Sequence, residues 1–505
     1  MAQPLQSINL VAPAFKGINT EDSPLAQDPS FADVADNAVI DKRGRIAARK
    51  GLDTVTTNKT ELGSDYIHSI HEFYDGSGNE KVFSFGNDKI LSGTTTLVDE
   101  TPASYPIAEN NWRSVNFNNA AYFFQRGQEP LIYTHAGGVQ TFAAYTGGAT
   151  PTYLWCNEAL AAYGRLWVAD SNINAQVIYW SDLLIGTDFT GGSSGSIDIS
   201  KAWPDGADSI VGITAHNNLL IIFGKHSIVV YQGADSPATM SIADTVPGVG
   251  CIDRNSIQHI GTDVLFLDDT GLRSFGRTIQ EKSMPISDLS GNVKTEFIET
   301  IANRQGHVAT IYSPDNTFYL VSFPSNNLTY CFDLKGTTES GSYRVTRWPS
   351  SAFFSFEVLR NGQFLVGNTF GLSEYSGYSD NGFSYRFRYY SPGLTFGDPS
   401  KLKILKKLRP TIVGANSATV FINWAYDFET SYRTQEYTVG NQSPAFYGVS
   451  EFTVGEFTGG TLVSRRAINT TGDGSVITIG LESDINGFAL SLQEINVLAL
   501  IGKTL

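Results

Sequence analysis

Short apolar runs separated by polar turns recur along the whole chain, and one arrangement of them returns seven times: a polar turn, four or five apolar residues, a short turn, then a second apolar strand. The clearest copy is NNLLIIFGKHSIVVYQG, opened by Asn217; the others open at Asn79, Asn119, Gly164, Thr262, Asp315 and Asn361. The starts lie 40, 45, 53, 45, 53 and 46 residues apart, which matches the ~40–50-residue period of a propeller blade. Runs such as Leu219-Leu220-Ile221-Ile222-Phe223 lack the alternation of a strand with one wet face. They suit strands sandwiched between neighbouring blades and buried on both faces. Gly224 and Gly271 fall where a tight hairpin asks for a positive φ. A large β-sandwich of hairpins is the competing architecture, but it has no reason to keep such a period. The expectation is an all-β protein with a β-propeller of seven blades, or six if one hairpin belongs to a neighbouring domain.

Helical periodicity is sparse. SFADVADNAV, from Ser30 to Val39, has a Ser at a candidate N-cap and Val34, Ala35 and Ala38 on one side. NVKTEFIETIAN, from Asn292, places Val293, Phe297, Ile298 and Ile301 on one helical face and reads as an insertion between blades. From about Tyr385 the repeat stops and long alternating runs begin: Thr419 to Glu429, Ser475 to Ser483 and Phe488 to Lys503. A separate β-sandwich is the natural assignment. The expected organisation is an N-terminal segment, 1–65, joining that sandwich as a platform; a propeller, 66–384; and the C-terminal sandwich, 385–505.

Composition agrees with an all-β chain. Aromatics make up 12% of 505 residues, Gly numbers 49, and charged residues are only 17%, against about 25% in a typical soluble domain. Apolar residues at 41% supply ample core, which excludes wholesale disorder. Thirty-five basic residues stand against fifty acidic ones, a net charge of −15. That sign is wrong for gripping phosphates but suits a surface over which DNA slides without sticking. No basic and apolar leader opens the chain and no window approaches 18 uninterrupted apolar residues, so neither a signal peptide nor a membrane span is expected. Cys156, Cys251 and Cys331 are odd in number and far apart; they read as small core residues rather than a disulfide framework or a zinc cluster.

Literal matches to catalytic patterns are few. Gly191-Gly192-Ser193-Ser194-Gly195 satisfies G-x-S-x-G, but that chemistry needs a strained strand-to-helix turn and here another strand follows, so a loop is expected. His68 and His71 lie in IHSIHEFY, a strand pattern that puts their rings on opposite faces, so structural or exposed histidines are expected rather than metal ligands. Tyr378 to Tyr385 approaches the aspartate box of sialidase-type propellers, once and with Tyr378 in place of the leading Ser; such boxes stabilise turns. No P-loop, zincin, EF-hand or dinucleotide fingerprint is present.

Two basic clusters interrupt the acidic background. One carries Lys401, Lys403, Lys406, Lys407 and Arg409 within nine residues; the other carries Lys42, Arg43 and Arg45, with Arg49 and Lys50 close behind. Each is either a strand edge guarded by charge against aggregation or a rim contacting an acidic partner or passing DNA.

Four features together resemble the tail-hub or nozzle proteins of short-tailed bacteriophages, also called packaged-DNA stabilisation proteins. They are the opening INLVAPAFKGINT followed by DNAVIDKRGRIAARKGL, with Asn37, Gly44, Arg49 and Gly51; the repeated hairpin centred on ITAHNNLLIIFGKHSIVVYQG; the helix near Asn292 leading to HVATIYSPDNTFYLVSFPSNNLTYCFDL and RVTRWPS; and the close GDGSVITIGLESDINGFALSLQEINVLALIGK. The similarity is one of layout and spans nearly the whole chain. It implies a structural virion protein: a homohexameric tube below the portal and its adaptor ring, through whose channel viral DNA passes without sequence-specific binding. It further implies retention of packaged DNA, anchorage of tail fibres or tailspikes, and a platform formed by the N-terminal segment with the C-terminal sandwich, from which the propeller projects. Assembly in the host cytoplasm, residence in the virion tail, no cofactor, no catalytic residues and no stable membrane insertion belong to the same expectation. Six copies at −15 each would carry −90 around the channel, a charge that repels the phosphate backbone of exiting DNA wherever it faces the lumen. The alternatives are a propeller lectin or adhesin, which would repeat one site in each blade, and a propeller glycosidase or lyase, which would need convergent carboxylates.

Overall fold

The structure, a computed structural model, describes residues 5–281, 288–415, 417–439 and 463–504. Each of the seven hairpins forms the second and third strands of its own antiparallel sheet. Five of these are four-stranded blades, a sixth blade is the four-stranded end of a nine-stranded sheet, and the sheet built on Val264–Asp268 and Gly271–Ser274 has three strands. Neighbouring sheets share apolar clusters all the way round, so the chain is an all-β propeller with six complete blades, and the three-stranded sheet stands in the ring between two of them.

The unbroken apolar runs follow from this ring. Leu220 and Ile222 face the preceding blade, against Trp167 and Trp180, whereas Ile221 and Phe223 face the following sheet, against Val264 and Phe266. Alternate residues of one strand thus serve two cores, and each fully buried side chain contributes ~1.5–3 kcal/mol. Three of the tight turns are made by asparagine. Asn87-Asp88, Asn118-Asn119 and Asn217-Asn218 occupy two-residue hairpin loops with φ between 46° and 61°, the left-handed conformation such loops demand. Gly271 has a positive φ as expected, but Gly224 does not. Gly224 is needed for space: a Cβ there would stand 2.3 Å from the Asp208 carboxylate and 2.8 Å from the Ser227 carbonyl.

The last blade is closed from far away in sequence. Ser355–Val358, Phe364–Asn368 and Gly371–Ser376 receive Gly51–Thr54 as their fourth strand, in register Ser376 to Gly51 and Ser373 to Thr54. Residues 51–54, grouped by the sequence pattern with the N-terminal platform segment, therefore belong to the ring.

Two larger sheets form the platform, with one apolar core between them. One pairs Lys401–Gly414 with Leu490–Thr504 and adds Gln6–Leu10, Ala38–Ile40, Ile46–Ala48 and short pieces of 463–474. The other holds Tyr385–Tyr390, Thr419–Tyr426, Arg433–Thr438 and Ile477–Ile485. This second sheet continues without a break into a propeller blade: Val34–Asp36 pairs with Tyr385–Tyr390 on one side and, at Asp36, with Arg347 of that blade's outer strand on the other.

The segment 30–39, whose spacing suggested a helix, is two short strands, Val34–Asp36 and Ala38–Ile40, joined at Asn37 with φ 51°. The left-handed residue turns the chain from one platform sheet into the other, which a helix would forbid. The second predicted helix is present at Lys294–Ala302, between the three-stranded sheet and the next blade. Its Phe297 and Ile301 are buried, Phe297 lying edge-on to Phe323, Tyr330 and Phe332, whereas Ile298 is half-buried. All three cysteines are buried and unpaired. No helix among the described residues is long and apolar enough to cross a membrane.

Candidate functional site

The basic clusters lie on one platform sheet but do not form one rim. In Lys401–Gly414 the register shifts between Leu405 and Lys407, so Lys406 is an extra residue and both Lys406 and Lys407 point to solvent. Lys403 does not belong to any rim: it is fully buried, its ammonium donating to the carbonyls of Asp398 and Ser475. Burial pushes its pKa down. Lys401 and Arg409 are half-buried, Lys401 standing 3.1 Å from the Asp398 carboxylate. Hydrogen bonds from Ser400 and the lysine beside it hold Asp398 at about 2. In the other cluster Lys42 and Arg43 are exposed, but Arg45 is buried with its Nε 2.7 Å from Asp41 and is likewise structural. The two clusters are separated by the strand Leu490–Thr504, on which Ile46 pairs at Leu492 and Lys407 at Leu498. Six residues of strand set them roughly 20 Å apart.

The opening motif meets at a single junction instead. Arg49 is 1% exposed and donates from both terminal nitrogens to Asp380, at 2.8 and 2.5 Å. Its Nε donates to Asn37 Oδ1 at 3.0 Å, and its guanidinium lies 4.2 Å from the Tyr385 ring centre and 5.5 Å from that of Trp348. Asn37 in turn donates to the carbonyl of Arg386. The Tyr385 hydroxyl donates to the carbonyl of Arg49. Gly51 is required by contact: a Cβ would sit 2.0 Å from the carbonyl oxygen of Ser379. Arg49 and Asp380 thus fasten the point where the chain passes between platform and ring. The segment resembling an aspartate box is a turn, its Asp380 and Phe383 exchanging backbone hydrogen bonds.

The propeller axis is filled. The first strands of five of the seven sheets, or the residues leading into them, line a narrow cavity of about 170 Å³. Arg113 stands 2.7 Å from buried Glu158, and Arg254 donates to the side chain of Asn157 and the carbonyl of Asn111, both at 2.7 Å. Burial raises the pKa of Glu158 against the pull of Arg113 and Arg254. His71 bonds Asn116 at 3.0 Å, and burial pushes it down to about 4. Glu357 is pushed up to about 8, first by burial and then by the charge of Glu72. The apolar hairpins that reveal the repeat say nothing of these residues. Their signal is a charged or imidazole side chain in the strand just before four of the hairpins, at His71, Arg113, Glu158 and Glu357.

The remaining sequence motifs are structural. Ser193 of the G-x-S-x-G string lies in a turn before the strand Gly195–Asp198; its hydroxyl donates to Asp182 and accepts from Arg165. His68 precedes its strand and packs edge-on to Tyr66 and Phe354, while His71 faces the axis. Among the described residues no group of three His, Cys, Asp or Glu side chains is placed to hold a metal.

No family model matches the chain, and no curated protein matches it. Among solved structures it is similar to the extracellular domain of BT4673 from B. thetaiotaomicron, at 12% identity and a TM-score of 0.42, over 65% of this chain and 40% of that one. It is also similar to the Neurospora crassa Pan2 WD40 domain, at 11% identity and a TM-score of 0.37, over 65% and 94% of the two chains. A third is the WD40 β-propeller domain of Doa1, at 11% identity and a TM-score of 0.36, over 64% and 96%. The alignment spans about two fifths of the BT4673 domain's length.

Proposed function

We propose that this chain is a structural virion protein, the tail nozzle or hub of a short-tailed bacteriophage, forming a homohexamer below the portal and adaptor and holding fibres or spikes on its outer wall. The observation that carries the reading is the way the two ends of the chain are wound together. Gln6–Leu10 pairs with Leu490–Thr504, and both belong to a two-sheet platform from which the propeller projects, the layout that the sequence resemblance implies. Platform and ring share one continuous sheet, which suits a part that must stay rigid under the pressure of packaged DNA.

In this reading the DNA path lies between protomers, because the cavity at the axis of each propeller holds only about 170 Å³. The excess of carboxylates then serves to repel the phosphate backbone and to prevent stalling. Lys42, Lys406 and Lys407, exposed on the platform, are the groups that would face an acidic neighbour.

The experiment is immunogold labelling of particles from the source of the gene with an antibody against the propeller, beside native mass spectrometry of the purified chain. Label at the tail of a short-tailed particle and a six-fold species support the hub. Unlabelled particles with the protein free in the cell overturn it. Within a labelled particle, Lys406→Glu with Lys407→Glu should leave the monomer folded and lower incorporation.

A further inference from the structure

A pocket of about 1010 Å³ opens on the propeller face that carries the loops between successive blades, directly over the filled axis. Its chemistry is mixed in a specific way. Tyr66 and Phe354 are stacked face to face at 4.0 Å and 7°, and Phe370 and Phe383 stand in the same wall 45% and 69% exposed. Apolar surface exposed in one patch and rimmed by polar residues marks a binding groove. The rest of the lining is dominated by amides and hydroxyls, and it includes neither lysine nor arginine.

Its histidines and Asp380 are engaged, His68 lying 3.6 Å from Asp65, and Glu109 adds one further carboxylate to the lining. Asp380 is bound by Arg49 and His307 lies 3.0 Å from Asp253. Two adjacent amides are left incomplete. The side-chain nitrogen of Asn111 and the side-chain oxygen of Asn110 are buried with no hydrogen-bond partner, although Asn111 itself accepts from Asn255. A spare donor on Asn111 and a spare acceptor on Asn110, in a lining with aromatic rings and without lysine or arginine, match a ligand that is uncharged, carries hydroxyls able both to give and to accept, and has a C–H face to lay on a ring. Aromatic faces are negative and attract such C–H groups, and amides complement hydroxyls in both directions. Phosphorylated or sulfated ligands lack a partner here.

We propose that this pocket is a binding site for a neutral saccharide. It is one composite site made by loops of several blades, not a site repeated in each, and it stands whether or not the chain is a tail hub.

The test is an array of neutral, sialylated, sulfated and phosphorylated glycans probed with the full chain, followed by titration calorimetry with the strongest neutral oligosaccharide and with adenosine. Phe370→Ala with Phe383→Ala removes exposed rings, so the fold should be retained, and circular dichroism checks it. Asn111→Ala removes the spare donor. The expected result is retention of a neutral glycan that weakens at least tenfold in either variant and is insensitive to salt. Three results overturn the proposal: retention of no neutral glycan, retention unchanged in both variants, or a preference for adenosine or for anionic glycans.

Discussion

Replacing Arg49 by Met keeps the length of the side chain and removes its charge and donors. Lost with it are two bonds to Asp380, one to Asn37 and one to the carbonyl of Lys50, together with the stacking on Tyr385. Breaking a buried ion pair from one side costs ~3–5 kcal/mol, because the remaining charge is stranded. The Asp380 side chain is 27% exposed, so water can partly rehydrate it and the low end, about 3 kcal/mol, is expected. The loss should be local. The amide of Leu52 donates to Ser379 and that of Asn381 to Leu52, on the far side of the same junction. Native-state hydrogen exchange at these two amides should speed up about a hundredfold, at ~1.4 kcal/mol per factor of ten. A double-mutant cycle with Asp380→Asn, read by urea unfolding, should return a coupling of about 2 kcal/mol. Unchanged exchange with a coupling below about 0.5 kcal/mol would refute the view that this pair fastens the ring to the platform.

Gly51→Ala puts a methyl 2.0 Å from the Ser379 carbonyl and should cost about 3 kcal/mol by forcing the closing strand aside. Gly78→Ala, where nothing lies within 4 Å but φ is +85°, should cost only the ~1–2 kcal/mol of a left-handed alanine; equal losses in thermal melts would contradict the contact argument. Glu357 has its folded pKa raised to about 8, so its neutral form favours folding below its unfolded value and that stability is lost as pH rises through 8. Glu357→Gln should therefore raise Tm at pH 8.5 more than at pH 5, and a uniform shift would disprove it. Burial pushes Cys251 up to about 12 and raises Cys156 and Cys331 as well. A thiol reagent at pH 8 should modify none of the three until denaturant is added.

The ring was legible because both faces of its inner strands are buried, which turns alternation into unbroken runs such as Leu219 to Phe223 and leaves a period that no surface chemistry disguises. The turns were legible in the wrong letters: Asn-Asn and Asn-Asp dipeptides carry the left-handed loops, while Gly224 answers to Asp208, a neighbour that no local pattern shows. The helix read at 30–39 failed because Asn37 takes a left-handed conformation that its partner Arg49 helps to fix, a contact made across the fold. In the same way Lys403 and Arg45 looked like rim charges until their burial was known, since a strand's lysine can be on either face and a bulge at Leu405 to Lys407 resets which. His71 reads from its strand as structural or exposed, whereas Arg113, Glu158 and Glu357 are hard to read because each is the one charged letter in a strand that gives no period.

The closing strand has a further consequence. The chain enters the ring at Gly51 and completes its last internal strand at Ser376, and those two residues are paired neighbours in one sheet. Seen from the platform, everything between them is an insertion whose ends meet at one point, secured just outside by Arg49 and Asp380. Insertions with adjacent ends are the ones a host fold tolerates best. The platform is nevertheless no free socket: a domain put in the same place would also have to offer Val34–Asp36 the strand edge that the ring now supplies at Arg347.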